Sequence, residues 1–232
     1  LNEVYGMTLV VGFVWGNGVV VASDSRVSEG FLATEEEKLK PIYALRDGRL
    51  YDLAVAGGAG DVSLVKQGLD VIERKFRAWF EGLEKPRPPT SAEVKQIVRA
   101  IEEELIERYS KLRSFGIEPS VKLLLATVAF DGKPIPMLFS FDPRGIAEPL
   151  HESPGYALLG HGVLSGASLL LRLLNYDPEE FEEYDKAFFA FFFFIRFSTF
   201  ITVLLSFSST LFFTSLLFFP NMNAIIYNLV IY

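Results

Sequence analysis

Met7-Thr8-Leu9-Val10-Val11-Gly12-Phe13-Val14-Trp15-Gly16-Asn17-Gly18-Val19-Val20-Val21-Ala22-Ser23-Asp24-Ser25-Arg26 decides how this chain is read. Residues 8–15 and 18–24 are two β-rich runs, and Gly16-Asn17-Gly18 between them is a hairpin signal. Thr8 directly follows a methionine, and Met is commonly removed before a small residue. Once it leads the chain, a threonine carries its nucleophile and a base, its own α-amine, on one residue. An α-amine has a pKa of about 8, close to operating pH, which suits that base. Residues 1–7 then read as a short propeptide or an over-extended gene start.

Composition narrows the classes. The 232 residues suffice for one domain with a sizeable core, and the net charge of −7 argues against nucleic-acid or anionic-membrane partners held by charge. Cysteine is absent, which excludes a disulfide framework, a thiol nucleophile and a thiolate metal site. His151 and His161 stand ten residues apart, not at a zinc-protease spacing, so no metal site is expected. No basic segment followed by an apolar run opens the chain, so the expected compartment is the cytoplasm.

Further along, residues 41–46 and 50–56 form a second pair of strands joined across Arg46-Asp47-Gly48-Arg49. Val62, Val65, Leu69, Ile72, Phe76 and Phe80 recur at helical steps over 61–84, and Lys85-Pro86-Arg87-Pro88-Pro89 stops that helix. Thr90-Ser91-Ala92-Glu93 is a capping box opening a second helix, whose apolar face is Val94, Ile97, Val98, Ile101, Leu105, Tyr109 and Leu112. Strands are expected at 121–130 and 135–141 around Asp131-Gly132, a turn at Asp142–Gly145, and a short strand at 156–159. A helix should follow Gly160-His161-Gly162, and Asp177-Pro178 should open another. Hairpin-built sheets with helices outside them make a layered α+β sandwich.

Residues 187–232 differ from the body. They hold 13 of the 22 phenylalanines, no Asp, Glu, Lys or Gly, and a single charge, Arg196. The uncharged stretch 197–219 is long enough to span a bilayer, its first part could be a buried helix, and the abrupt change of composition also fits a frameshifted or mis-joined gene end. Uncovered in water, such a tail would aggregate.

Over residues 8–185 the chain resembles the proteasome β-type subunits, which are N-terminal-nucleophile hydrolases. Thr8 falls on the family's nucleophile, four residues before a matching Gly12. Ala22-Ser23-Asp24-Ser25-Arg26 matches the strand with the catalytic acid, which makes Asp24 the partner that would orient the catalytic lysine. Lys38-Leu39 matches that lysine and the apolar residue behind it, although an ungapped count selects Lys40. Ala56-Gly57-Gly58-Ala59-Gly60-Asp61 matches the loop whose first glycine, Gly57, offers its N–H to the oxyanion, and Val55 would line the substrate pocket. Gly160-His161-Gly162 departs from the family's Gly-Ser-Gly, and further supporting Asp and Ser positions would fall in the tail, which has no Asp.

The resemblance implies a four-layer αββα sandwich of two antiparallel sheets flanked by helices. It further implies a threonine endopeptidase subunit of a ring-shaped, proteasome-like particle, acting on unfolded polypeptides through an acyl ester on Thr8. No metal or organic cofactor is implied. The partners would be other ring subunits, copies of itself or α-type, with a membrane involved only if the tail is genuine. Two rivals share the fold: a non-catalytic structural ring subunit, and an acyl-transfer or small-amide hydrolase.

Overall fold

The computed structural model describes residues 9–24, 26–29, 32–35, 38–160 and 224–229; at Trp15, Asp24, 26–29, 32–35 and 224–229 it describes the backbone alone. The chain opens with a hairpin, β1 (Val10–Trp15) and β2 (Gly18–Asp24), followed by a small ribbon of β3 (Arg26–Glu29) and β4 (Leu32–Glu35). A second hairpin follows, β5 (Leu39–Arg46) and β6 (Arg49–Gly60), then helices α1 (Val62–Glu81) and α2 (Ser91–Ser114). Next come β7 (Val121–Phe130), β8 (Pro134–Phe141), β9 (Ala147–Pro149), β10 (Tyr156–Leu159) and β11 (Ala224–Leu229).

Two antiparallel sheets result, one ordered β10-β1-β2-β11 and the other β5-β6-β7-β8-β9. Local chemistry explains their edges. In the β5–β6 turn, Asp47 and Gly48 both adopt positive φ (52° and 73°), the conformation a two-residue Asp-Gly turn requires. Asp61 caps α1 by accepting from the Leu64 N–H at 3.0 Å. At α2 the capping box forms in both directions, and Arg87 grips the capping Glu93 with two hydrogen bonds of 2.7 and 2.6 Å.

Alternation along the strands sorts the core into layers. One face of the five-stranded sheet carries α1 and α2, with Ile72, Phe76, Ile101 and Leu105 buried against Leu123 and Leu125. Its other face meets the first sheet through Val10, Val21, Leu39, Val55, Leu124 and Leu138. Each fully buried Leu, Ile or Phe contributes roughly 1.5–3 kcal/mol. On the outer face of the first sheet Val11, Phe13 and Ala22 are buried as well, the apolar surface that an outer helical layer needs. The fold is an α+β sandwich of the αββα type. The helices expected after Gly162 and at Asp177 lie outside the described residues.

Some expectations are corrected. The glycine-rich run 56–60, read as a loop, continues β6 and pairs with β7 as far as Gly60↔Val121. Its glycines serve packing: a Cβ at Gly58 would sit 2.6 Å from Val65 Cγ1, where α1 lies on the sheet. The ribbon β3–β4 and the edge strand β9 were not expected. Within the anomalous tail, 224–229 pairs antiparallel with β2, from Ala224↔Asp24 to Leu229↔Val19. No helix among the described residues is long and apolar enough to cross a membrane. Residues 187–223, read as a membrane span or a gene-end artefact, lie outside the described residues, as do residues 1–7.

Helices α1 and α2 are clamped by one carboxylate. Glu104 on α2 meets Arg74 at 2.6 Å and Lys75 at 3.1 Å on α1, and Arg108 at 2.8 Å on its own helix. Partial burial pushes its pKa up, but the hydrogen bonds from Arg74, Arg108 and Lys75 outweigh this and bring it to about 2. A depressed carboxylate pKa stabilises the fold above the unfolded value and loses that contribution as pH falls. Glu104→Gln should therefore cost about 1–2 kcal/mol at neutral pH. In denaturant titrations the gap to wild type should close as pH drops from the ordinary 4.5 toward about 2.

Candidate active site at the Gly57 end of the sandwich

Four strand ends meet at one end of the two sheets. There β1 begins at Val10, β2 ends at Asp24, β5 begins at Leu39 and β6 runs on to Gly60. The β5–β6 ladder closes with the pair Leu39↔Gly57, so beyond this point β6 is paired only on its β7 side. The backbone of Gly57 thus lies where one edge of the central strand opens.

The contact at Gly57 is close. A Cβ there would lie 2.7 Å from Leu39 Cδ2, 2.9 Å from Val10 Cγ1 and 3.4 Å from the Lys38 carbonyl oxygen. Glycine therefore lets β1 of the first sheet, the start of β5 and the end of β6 converge. Gly12 does the same further along β1, where a Cβ would meet Leu138 Cδ1 at 3.0 Å. Val55 points into the same inter-sheet layer and is buried beside Leu124 and Ala126.

Lys38 and Lys40 have opposite surroundings. Lys38 is only 6% exposed, an unusual place for an ammonium, and it is not without partners. Lys40 sits opposite Ala56, on the helix side of the sheet, and its Nζ pairs with Asp70 and, at 2.6 Å, with Glu73, both on α1. Burial works against the Lys40 charge, but the two carboxylates prevail and its pKa is raised. Lys40 thus belongs to the helix interface, whereas the Lys38 carbonyl lies beside Gly57.

Asp24 is the last residue of β2, at this same end of the sheet. Thr8, Ser25 and His161 lie outside the described residues, as does the Asp24 side chain. Thr8 stands two residues ahead of Val10, so the strand that reaches the Gly57 contact is the one continuing from it. The other histidine, His151, is accounted for: its Nδ1 is 3.2 Å from the Leu138 carbonyl oxygen, and its ring packs on Phe139. Among the described residues no group of His, Asp and Glu could hold a metal. One polar residue here, Ser23, was given no role in the sequence; it is buried on the inner face of β2.

The family model for the proteasome subunit matches residues 5–170. The chain belongs to the proteasome subunit family. The match takes in both hairpins, both helices, Thr8, Asp24, Lys38 and Gly57. It makes this chain a proteasome-like subunit of the N-terminal-nucleophile hydrolase class. Among solved structures, the Anbu (Gly-1) mutant from Hyphomicrobium sp. strain MC1 is similar at 17% identity and a TM-score of 0.49, over 71% of this chain. The chain spans 64% of that protein's length. No curated protein matches the sequence.

The packing around Gly57 is directly testable. Gly57→Ala forces Leu39 and Val10 apart at an already filled contact, and overpacking of this kind costs about 1–3 kcal/mol. Thermal unfolding should show a Tm lower by several degrees. Gly48→Ala, at a turn with nothing near its would-be Cβ, should lack this packing effect and show only its backbone strain.

Proposed function

We propose that the protein is a threonine endopeptidase subunit that cleaves peptide bonds through an acyl ester on Thr8. The observation that carries this reading is the burial of Lys38 beside Gly57, at the end of the sandwich where the strand following Thr8 begins. The family match over these motifs supports it.

In this mechanism Thr8 Oγ attacks the carbonyl carbon of the scissile bond, and its proton passes to the α-amine of the same residue. The Lys38 ammonium favours the deprotonated forms of both groups, because a neighbouring positive charge lowers their pKa. Asp24 orients Lys38. The Gly57 N–H donates to the oxyanion, a fixed dipole that needs no reorganisation as charge develops. The C–N bond breaks, the leaving amine takes the proton, and an ester to Thr8 remains. Water activated by the same α-amine hydrolyses that ester. Val55 forms part of an apolar wall, which favours substrates with an apolar residue on the acyl side. We further propose that the subunit works in a cytoplasmic ring of its own copies or with α-type partners.

A second reading has its own observation. Gly160-His161-Gly162 stands where the resemblance implies a serine that fixes the nucleophile's amine, which fits a non-catalytic ring subunit.

The two separate on three measurements. N-terminal sequencing and intact mass should find a chain that starts at Thr8. Thr8→Ala and Lys38→Met should each lower kcat/KM for an apolar peptide by at least ~10³-fold. Lys40→Met should stay near wild type, because it removes only a partly exposed ion pair. A chain still bearing residues 1–7, with hydrolysis unaffected by Thr8→Ala, would overturn the endopeptidase reading.

A further inference from the structure

Ser23 faces inward on β2, in step with Val19 and Val21, which lie in the inter-sheet core, while Ala22 lies on the outer face. Ser23 is 3% exposed, and its Oγ has no hydrogen-bond partner among the described residues. A buried hydroxyl left unpaired is destabilising, and such groups are rare enough that each has a reason. Its position supplies one. Ser23 is directly opposite Val10 in the β1–β2 pair. Such opposed residues hold their Cβ atoms about 4.5–5.5 Å apart. Val10 in turn packs on Gly57, beside the Lys38 carbonyl. An acceptor with two lone pairs therefore stands at the same end of the sandwich as the buried Lys38, whose ammonium has three protons to donate. A buried charge persists only where it is well hydrogen-bonded.

We propose that Ser23 is a positioning residue for Lys38: the ammonium donates to one bound water, and that water donates to Ser23 Oγ. Ser23 touches no reacting atom in this arrangement; it acts by holding Lys38 charged and in place beside Gly57. The proposal rests on the reading of Lys38 as the cation of the site. It assigns to this chain a polar support on the inner face of β2, separate from the Gly160-His161-Gly162 segment.

The test compares wild type, Ser23→Ala and Ser23→Thr as purified full chains. Losing an acceptor disfavours the charged form of Lys38, so more of it is the reactive free amine. With acetic anhydride at one mildly alkaline pH, followed by peptide mass spectrometry, Lys38 in Ser23→Ala should acetylate several-fold faster (~3–10-fold) than in wild type. For peptide hydrolysis, kcat should fall ~10-fold with KM within ~2-fold. Tm should fall only slightly, because one water-mediated hydrogen bond is lost while the surrounding packing is kept. Ser23→Thr keeps the hydroxyl and should restore both rates. Lys38 acetylation at the wild-type rate in Ser23→Ala overturns the proposal whatever the kinetics, and faster acetylation with unchanged kcat overturns the catalytic role. If wild type hydrolyses no peptide, the endopeptidase reading fails by itself and the acetylation comparison alone decides. Should Ser23→Ala not fold, Ser23→Cys, a near-isostere with only a weak acceptor, carries the same comparison.

Discussion

The approach of the two sheets at Gly57 governs the geometry of everything near it. Packed sheets usually stand about 10 Å apart, with side chains filling the gap. Here Leu39 and Val10 close directly over a residue without a side chain. Leu39 is the first residue of β5, so its seat on Gly57 decides where the strand begins and where the preceding Lys38 is held. Gly12 repeats the device against Leu138 and Leu124 in the same inter-sheet layer. A packing requirement therefore becomes a constraint on the site: if the sheets separate by a methyl group, the lysine moves with β5.

On the helix side, carboxylates organise the charges. Asp70 and Glu73 hold Lys40, and Glu104 holds Arg74, Lys75 and Arg108. An acidic chain has carboxylates to spare for such clamps. Asp70 and Glu73 on α1 draw Lys40 to the helix side of the sheet, while Leu39 between the two lysines faces the inter-sheet layer. Of two lysines separated by a single residue, one is thus tied to α1 and the other is buried at the start of β5.

Much of the frame was legible because its signals are local. Asp47-Gly48 demands its turn, Thr90 and Glu93 cap their helix between themselves, and the helical recurrence from Val62 to Phe80 matches the buried face of α1. What escaped the sequence depends on distant partners. Glycines at 57–60 look like a loop because they favour strands poorly, yet β7 pairs with them and the close approach of α1 requires Gly58. Lys38 sits in a charge run from Glu35 to Lys40 that reads as solvated, and only the starting point of β5 buries it. Asp24 was legible as a strand-end acid, but nothing in its neighbours says what it faces. The Ser23 hydroxyl drew no reading of its own in the sequence, because its lack of a partner among the described residues is a property of the assembled core.

Apolar walls at this end of the sandwich act in two directions. Val10, Leu39 and Val55 lower the local dielectric, so a positive charge brought against them would act on a nearby hydroxyl or amine far more strongly than it would in water. The same walls disfavour the charge itself, since burial alone drives a lysine toward its neutral form. A cation can be useful at this spot only if acceptors close at hand offset its desolvation without exposing it to solvent. A carboxylate such as Asp24 orients the ammonium while offsetting part of that field. A hydroxyl or a backbone carbonyl supports the ammonium and leaves the net charge intact. In the proposed arrangement Ser23, opposite Val10 on the inner face of β2, supplies such a neutral oxygen.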